Sequence, residues 1–103
     1  MKAIQIDDRD NVATVTGDVK RGETVEILSP DGKVILKAKP LEDIAFGHKL
    51  SLRRIRKGEE IIKYGEVIGV ASRAIPAGEW VHTQNVDSAR LKTSGEEVRG
   101  VTV

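Results

Sequence analysis

GHKLSLRRIRKGEEIIKYGEVIGVASRAIPAGEWVHTQNV, residues Gly47 to Val86, carries the most structural information in the chain. The only two histidines of the chain, His48 and His82, stand near its two ends. Between them a short unit recurs: an apolar residue, two variable residues, Gly-Glu, one variable residue and a second apolar residue. It reads Ile55-Arg56-Lys57-Gly58-Glu59-Glu60-Ile61 and again Ile75-Pro76-Ala77-Gly78-Glu79-Trp80-Val81, with an upstream copy at Val19-Lys20-Arg21-Gly22-Glu23-Thr24-Val25. A glycine adopts positive φ at little steric cost, so each copy predicts a tight turn that delivers the chain into a strand.

Elsewhere in the chain, strand signals come at short intervals. Ala3–Ile6, Val12–Thr16, Thr24–Leu28 and Val34–Ala38 are β-rich, and Ser29-Pro30-Asp31-Gly32 between the last two suits a hairpin connection. Residues Lys39 to Phe46 form a connector whose apolar spacing suggests a single helical turn. Leu50 and Leu52 alternate with Ser51 and Arg53 as in a half-buried strand, while Val67-Ile68-Gly69-Val70-Ala71 reads as a strand covered on both sides. No stretch holds a long helical period. The expected fold is therefore mostly β, a small domain over residues 1–86, with residues 87–103 a polar C-terminal tail.

Composition limits what such a domain does alone. In 103 residues there are only three aromatics, Phe46, Tyr64 and Trp80, so Val, Ile, Leu and Ala must build the core. Seventeen basic and sixteen acidic residues leave a net charge of +1, which gives no global field toward nucleic acid or an anionic membrane. The basic group Lys49, Arg53, Arg54, Arg56 and Lys57 lacks interleaved aromatics, which argues against nucleic-acid binding. Without cysteine, disulfides and thiolate metal sites are excluded. The opening MKAIQIDDRD has no apolar signal core and no run reaches membrane-spanning length, so a cytoplasmic protein is expected.

Several of these segments together resemble one family. Gly47-His48-Lys49, Lys57-Gly58-Glu59, Ile62-Lys63-Tyr64-Gly65-Glu66-Val67-Ile68-Gly69, Ala77-Gly78-Glu79-Trp80-Val81-His82-Thr83 and Asn85-Val86 look like the small SAF domain at the N-terminus of altronate and galactarate dehydratases. Asp10-Asn11-Val12-Ala13 and Gly22-Glu23 extend the likeness to roughly Ala3–Val86. Gln84 stands where that family often has a second histidine, and Ala45 where it often has proline. The resemblance implies a β-clip of bent hairpins, with glycines 47, 58, 65, 69 and 78 at bends and close backbone approaches. It also implies loss of water from a sugar acid, with a base at the α-proton and a divalent metal (iron or manganese) on the enediolate.

Two histidines and turn-borne carboxylates are too few for that whole reaction. The resemblance thus implies half an enzyme: a small subunit that binds substrate and closes the site, with no metal of its own and with a large dehydratase subunit as partner. The alternative is a stand-alone SAF-type binding module for carbohydrate or protein. A domain this small leaves apolar surface uncovered, so self-association of the isolated chain is expected. His82, followed by Thr83, Gln84 and Asn85, is the candidate catalytic residue, and those three, with closely spaced donors and acceptors, are candidate contacts to substrate hydroxyls or carboxylate. For His48 a substrate contact and a hydrogen-bonded turn are both open; for Lys49, a charge for the substrate carboxylate and a solvated strand start. Trp80 is expected to pack beside His82, and Tyr64 to cap a core edge.

Overall fold

The computed structural model describes residues 1–88, and all the regular structure among them is β. Nine strands form: β1 (Lys2–Ile4), β2 (Val12–Val15), β3 (Val25–Leu28), β4 (Val34–Ala38), β5 (Lys49–Ser51), β6 (Glu60–Lys63), β7 (Glu66–Ala71), β8 (Trp80–Val81) and β9 (Val86–Asp87). One sheet has the order β4-β3-β1-β2-β5-β8, the other β6-β7-β9. Every pairing is antiparallel except β1 with β3. Bent hairpins laid over one another in two sheets make a β-clip.

The recurring unit explains why. A fourth copy, Ile44-Ala45-Phe46-Gly47-His48-Lys49-Leu50, carries histidine where the others carry glutamate. Its glycine and those at 22, 58 and 78 all have φ between 81° and 89°. The apolar residues that open and close all four units are at most 1% exposed. Two units supply Val19, Val25, Ile44 and Leu50 to one core cluster, and the other two supply Ile55, Ile61, Ile75 and Val81 to a second. Within each half the units meet reciprocally. Val19 and Ile44 exchange both backbone hydrogen bonds, and Ile55 and Ile75 do the same.

Residues Asp10 and Asn11 fasten the second sheet to the first. The buried Asp10 carboxylate accepts from the backbone N–H groups of Asp7, Tyr64 and Gly65. Asn11 accepts from the Ile62 N–H and donates to the Glu60 carbonyl. This part of the family likeness is structural.

Three expectations are corrected. Lys39 to Phe46 contains no helical turn, because its backbone groups pair elsewhere: Pro40 O accepts from Gly22, Leu41 N donates to Gly78, and Ile44 bonds with Val19. Strand β7 is covered only at its far end. Its neighbour β9 reaches Val70 and Ala71 and no further, which leaves Val67 and Ile68 43% and 42% exposed. Tyr64 caps no core. It stands exposed at the β6–β7 turn with φ 57° and the Lys63 ammonium 4.7 Å from its ring centroid. The Ser29–Gly32 connection does form the expected hairpin between β3 and β4, with Ser29 N donating to Lys33 O. The tail lies, from residue 89 on, outside the described residues.

Candidate functional site

Two of the four units converge on one aromatic cluster. Strand β5 carries Lys49, with His48 just before it, and pairs with β8, which carries Trp80 and leads into His82. The histidines, far apart in sequence, approach to 5.2 Å between ring centroids. Trp80 stacks on His82 at 5.3 Å with 10° between planes, as the expected packing of Trp80 beside His82 requires, and meets His48 edge-on at 5.4 Å. The Trp80 indole N–H donates to His48 Nδ1 at 3.2 Å. An accepting Nδ1 leaves the proton of neutral His48 on Nε2, so this ring offers a donor rather than a metal-ligating lone pair.

Asn85 makes three of the side-chain hydrogen bonds that hold the loop after β8. Asn85 is fully buried. Its Oδ1 accepts from the His82 N–H at 3.0 Å, and its Nδ2 donates to Trp80 O at 2.9 Å and to Glu79 Oε2 at 2.8 Å. Its side chain is spent inside the loop, so Asn85 positions His82 instead of presenting an amide to substrate. Gln84, though exposed, directs its Nε2 to Trp80 O at 3.0 Å.

Glu79 is available to Asn85 for a reason visible in the repeat. In two units the turn glutamate accepts the N–H three residues back, Glu23 from Lys20 and Glu59 from Arg56. The equivalent position before Glu79 is Pro76, which has no N–H. Glu79 therefore turns to Asn85 and to Arg73, 3.2 Å away. The proline at this copy and the histidine at the fourth were the signals in the sequence that mark these two units as the chemically distinct ones.

Beside the cluster lies an open cleft of about 250 Å³, lined by Lys49, Ile68, His82, Thr83, Val86, Asp87 and Ser88. Of the expected site residues, Lys49, His82 and Thr83 line it; His48, Gln84 and Asn85 do not, and each is hydrogen-bonded to Trp80. Asp87 and Ser88 escaped the sequence reading because they fall in what looked like a tail. The half-buried Lys49 amine is held below the usual lysine range, chiefly by loss of solvent and secondarily by the neighbouring charge of Lys63. The cleft thus combines a cation, a carboxylate, an imidazole and two hydroxyls. Among the described residues no three His, Cys, Asp or Glu side chains gather as a metal site.

Sequence comparison places these features in a family. Galactarate dehydratase (L-threo-forming) of Escherichia coli is 44% identical over 78 residues, which are 76% of this chain and 14% of that protein. Altronate dehydratase of Bacillus subtilis is 37% identical over 82 residues, 80% of this chain and 15% of the relative. The chain thus spans about a seventh of the length of these enzymes. Subunit alpha of (2R)-sulfolactate sulfo-lyase from Chromohalobacter salexigens is 34% identical over 84 residues, 82% of this chain and 88% of that subunit. The model of the altronate/galactarate dehydratase SAF domain matches residues 1–89, and the chain belongs to that family.

Proposed function

We propose that this chain is the substrate-closing small component of a hydroxy-acid dehydratase or related lyase whose metal and remaining acid–base groups reside on a larger partner. The observation that carries the reading is the cleft in which Lys49, His82 and Thr83 meet. The likeness to a separate alpha subunit, nearly end to end, supports a two-component arrangement.

Lys49 supplies positive charge for the substrate carboxylate, Thr83 and Ser88 offer hydroxyls to the polyol, and His82 moves a proton at the reacting carbon or its leaving hydroxyl. Trp80 and Asn85 fix the His82 ring and backbone, so the imidazole is oriented before substrate arrives. His48, bonded to Trp80, holds the indole in the plane that His82 stacks on. A divalent metal on the partner would stabilise the enediolate; none of these residues ligates it.

The test is reconstitution. The purified chain, supplied with ferrous or manganous ion, should form no keto acid from altronate or galactarate and release no sulfite from (2R)-sulfolactate. The complex co-purified from its host should turn over one of the three, and His82→Ala in that complex should lower kcat/KM by at least about tenfold, or 1.4 kcal/mol. Turnover by the isolated chain, or full activity in the His82→Ala complex, would overturn the reading.

A further inference from the structure

Among the described residues the Lys49 ammonium has no ion-pair partner. Its strand neighbours in register are Thr14 on β2 and Val81 on β8. No carboxylate lies within ion-pair distance of its ammonium among the described residues, although Asp87 lines the same cleft. The hydroxyl of Thr14 is buried and likewise unbonded. Lys63, at the end of β6, adds a second positive charge that acts on Lys49, and its own ammonium lies 4.7 Å from the Tyr64 ring centroid. His82 and Asp87 are the other titratable groups facing this cleft. Lys49 lines the cleft and Lys63 does not, yet the Lys63 charge still acts on it, so a half-buried amine at the cleft gives up its proton more readily than a solvated one, as an amine nucleophile requires.

We propose that Lys49 captures small 2-keto acids as a reversible imine in the cleft beside His82. The Nζ lone pair attacks the keto carbon and forms the C–N bond. The carbonyl oxygen takes a proton and the nitrogen loses one, giving a carbinolamine. The hydroxyl then leaves as water as the nitrogen lone pair forms C=N, so that amine and ketone become imine and one water with no change in oxidation state. His82 is placed to deliver the proton to that departing oxygen, and the charge of Lys63 stabilises the adjoining carboxylate. The proposal concerns an amine of this chain by itself and holds whether or not the chain serves a dehydratase.

The experiment uses the full chain with pyruvate and sodium cyanoborohydride near neutral pH, with peptide mass spectrometry to locate the reduced adduct. Lys49 should be labelled at least about fivefold faster than the median of the other lysines, the kind of gain that desolvation beside a second cation confers. Lys63→Gln should slow Lys49 labelling, because it both removes the anion's attraction and returns the amine toward its usual proton affinity. Lys49→Arg, folded by circular dichroism, should leave only the uniform slow labelling of surface lysines. Labelling spread evenly over all lysines, a label centred on Lys63, or a Lys49 rate unmoved by Lys63→Gln would each overturn the proposal.

Discussion

Alanine at Gly78 and at Gly58 are the same chemical change in two turns of the same shape, with φ 89° and 86°, yet the surroundings differ. A Cβ built at Gly58 meets nothing within 4 Å, whereas one at Gly78 falls 2.4 Å from the Lys39 carbonyl oxygen. Gly58→Ala should therefore cost only the left-handed backbone penalty, about 1–2 kcal/mol. Gly78→Ala should add an overpacking cost of about 1–3 kcal/mol, because the obstacle is backbone and cannot rotate away. For a domain of this size each kcal/mol moves the thermal midpoint by about 4–8 °C, so the two midpoints should differ by at least that interval. Calorimetry of both variants reads the difference, and urea titration at constant m-value checks that the folded state is the same. The displaced segment leads directly into Trp80, so amide shifts in the Gly78 variant should concentrate from Trp80 to Asn85. Equal midpoints for the two alanine variants would refute the claim that the close approach of Lys39, rather than the turn conformation, distinguishes Gly78.

Four further outcomes are expected. Asn85→Ala should destabilise by about 1–3 kcal/mol in urea unfolding, since it leaves the His82 N–H unpaired and takes from the Glu79 carboxylate one of its two donors, Arg73 remaining. Trp80→Phe keeps the stack but removes the N–H to His48; nitrogen-15 imidazole spectra should then show His48 losing its preference for the Nε2–H tautomer, while the same spectra of the unaltered chain hold it. Lys49→Met should leave the thermal midpoint unchanged or raised at pH 7, because it removes a desolvated amine repelled by Lys63; with the folded pKa below the unfolded one, the stability of the unaltered chain should rise with pH through the lysine range and that of the variant should not. Glu59, held below the usual carboxylate range first by Arg53 and then by the Arg56 N–H, contributes stability above the unfolded carboxylate pKa that is lost as pH falls through the folded value, so Glu59→Gln should flatten the acid limb of that curve.

How much of this was legible depended on whether a residue's surroundings are local. The strands and turns were readable because their cause is local: an apolar spacing closed by a glycine. The β3–β4 hairpin was readable from Pro30, Asp31 and Gly32 for the same reason. The exposure of Val67 and Ile68 was not, since it follows from how far β9 extends, a tertiary fact. Asn85 looked like a ligand contact beside His82 because its polarity is visible in sequence and its burial is not. The fourth unit escaped because His48 breaks the Gly-Glu pattern, although its apolar ends, Ile44 and Leu50, keep the spacing. His82 and Lys49 were legible as polar residues at strand ends, whereas their meeting with Asp87 required the β7–β9 pairing.

The four turns have a consequence for how such a domain can change. In each, the glycine supplies the left-handed conformation, and the residue after it need not: Glu23 and Glu59 latch their own turns, Glu79 braces a neighbouring loop, and His48 joins an aromatic cluster. Geometry and chemistry are thus written at adjacent but separate positions. A new side chain after the glycine alters what the surface can do while the eight buried apolar anchors keep the same scaffold. Innovation at position 48 or 79 needs no new fold, only a change of letter beside a fixed hinge.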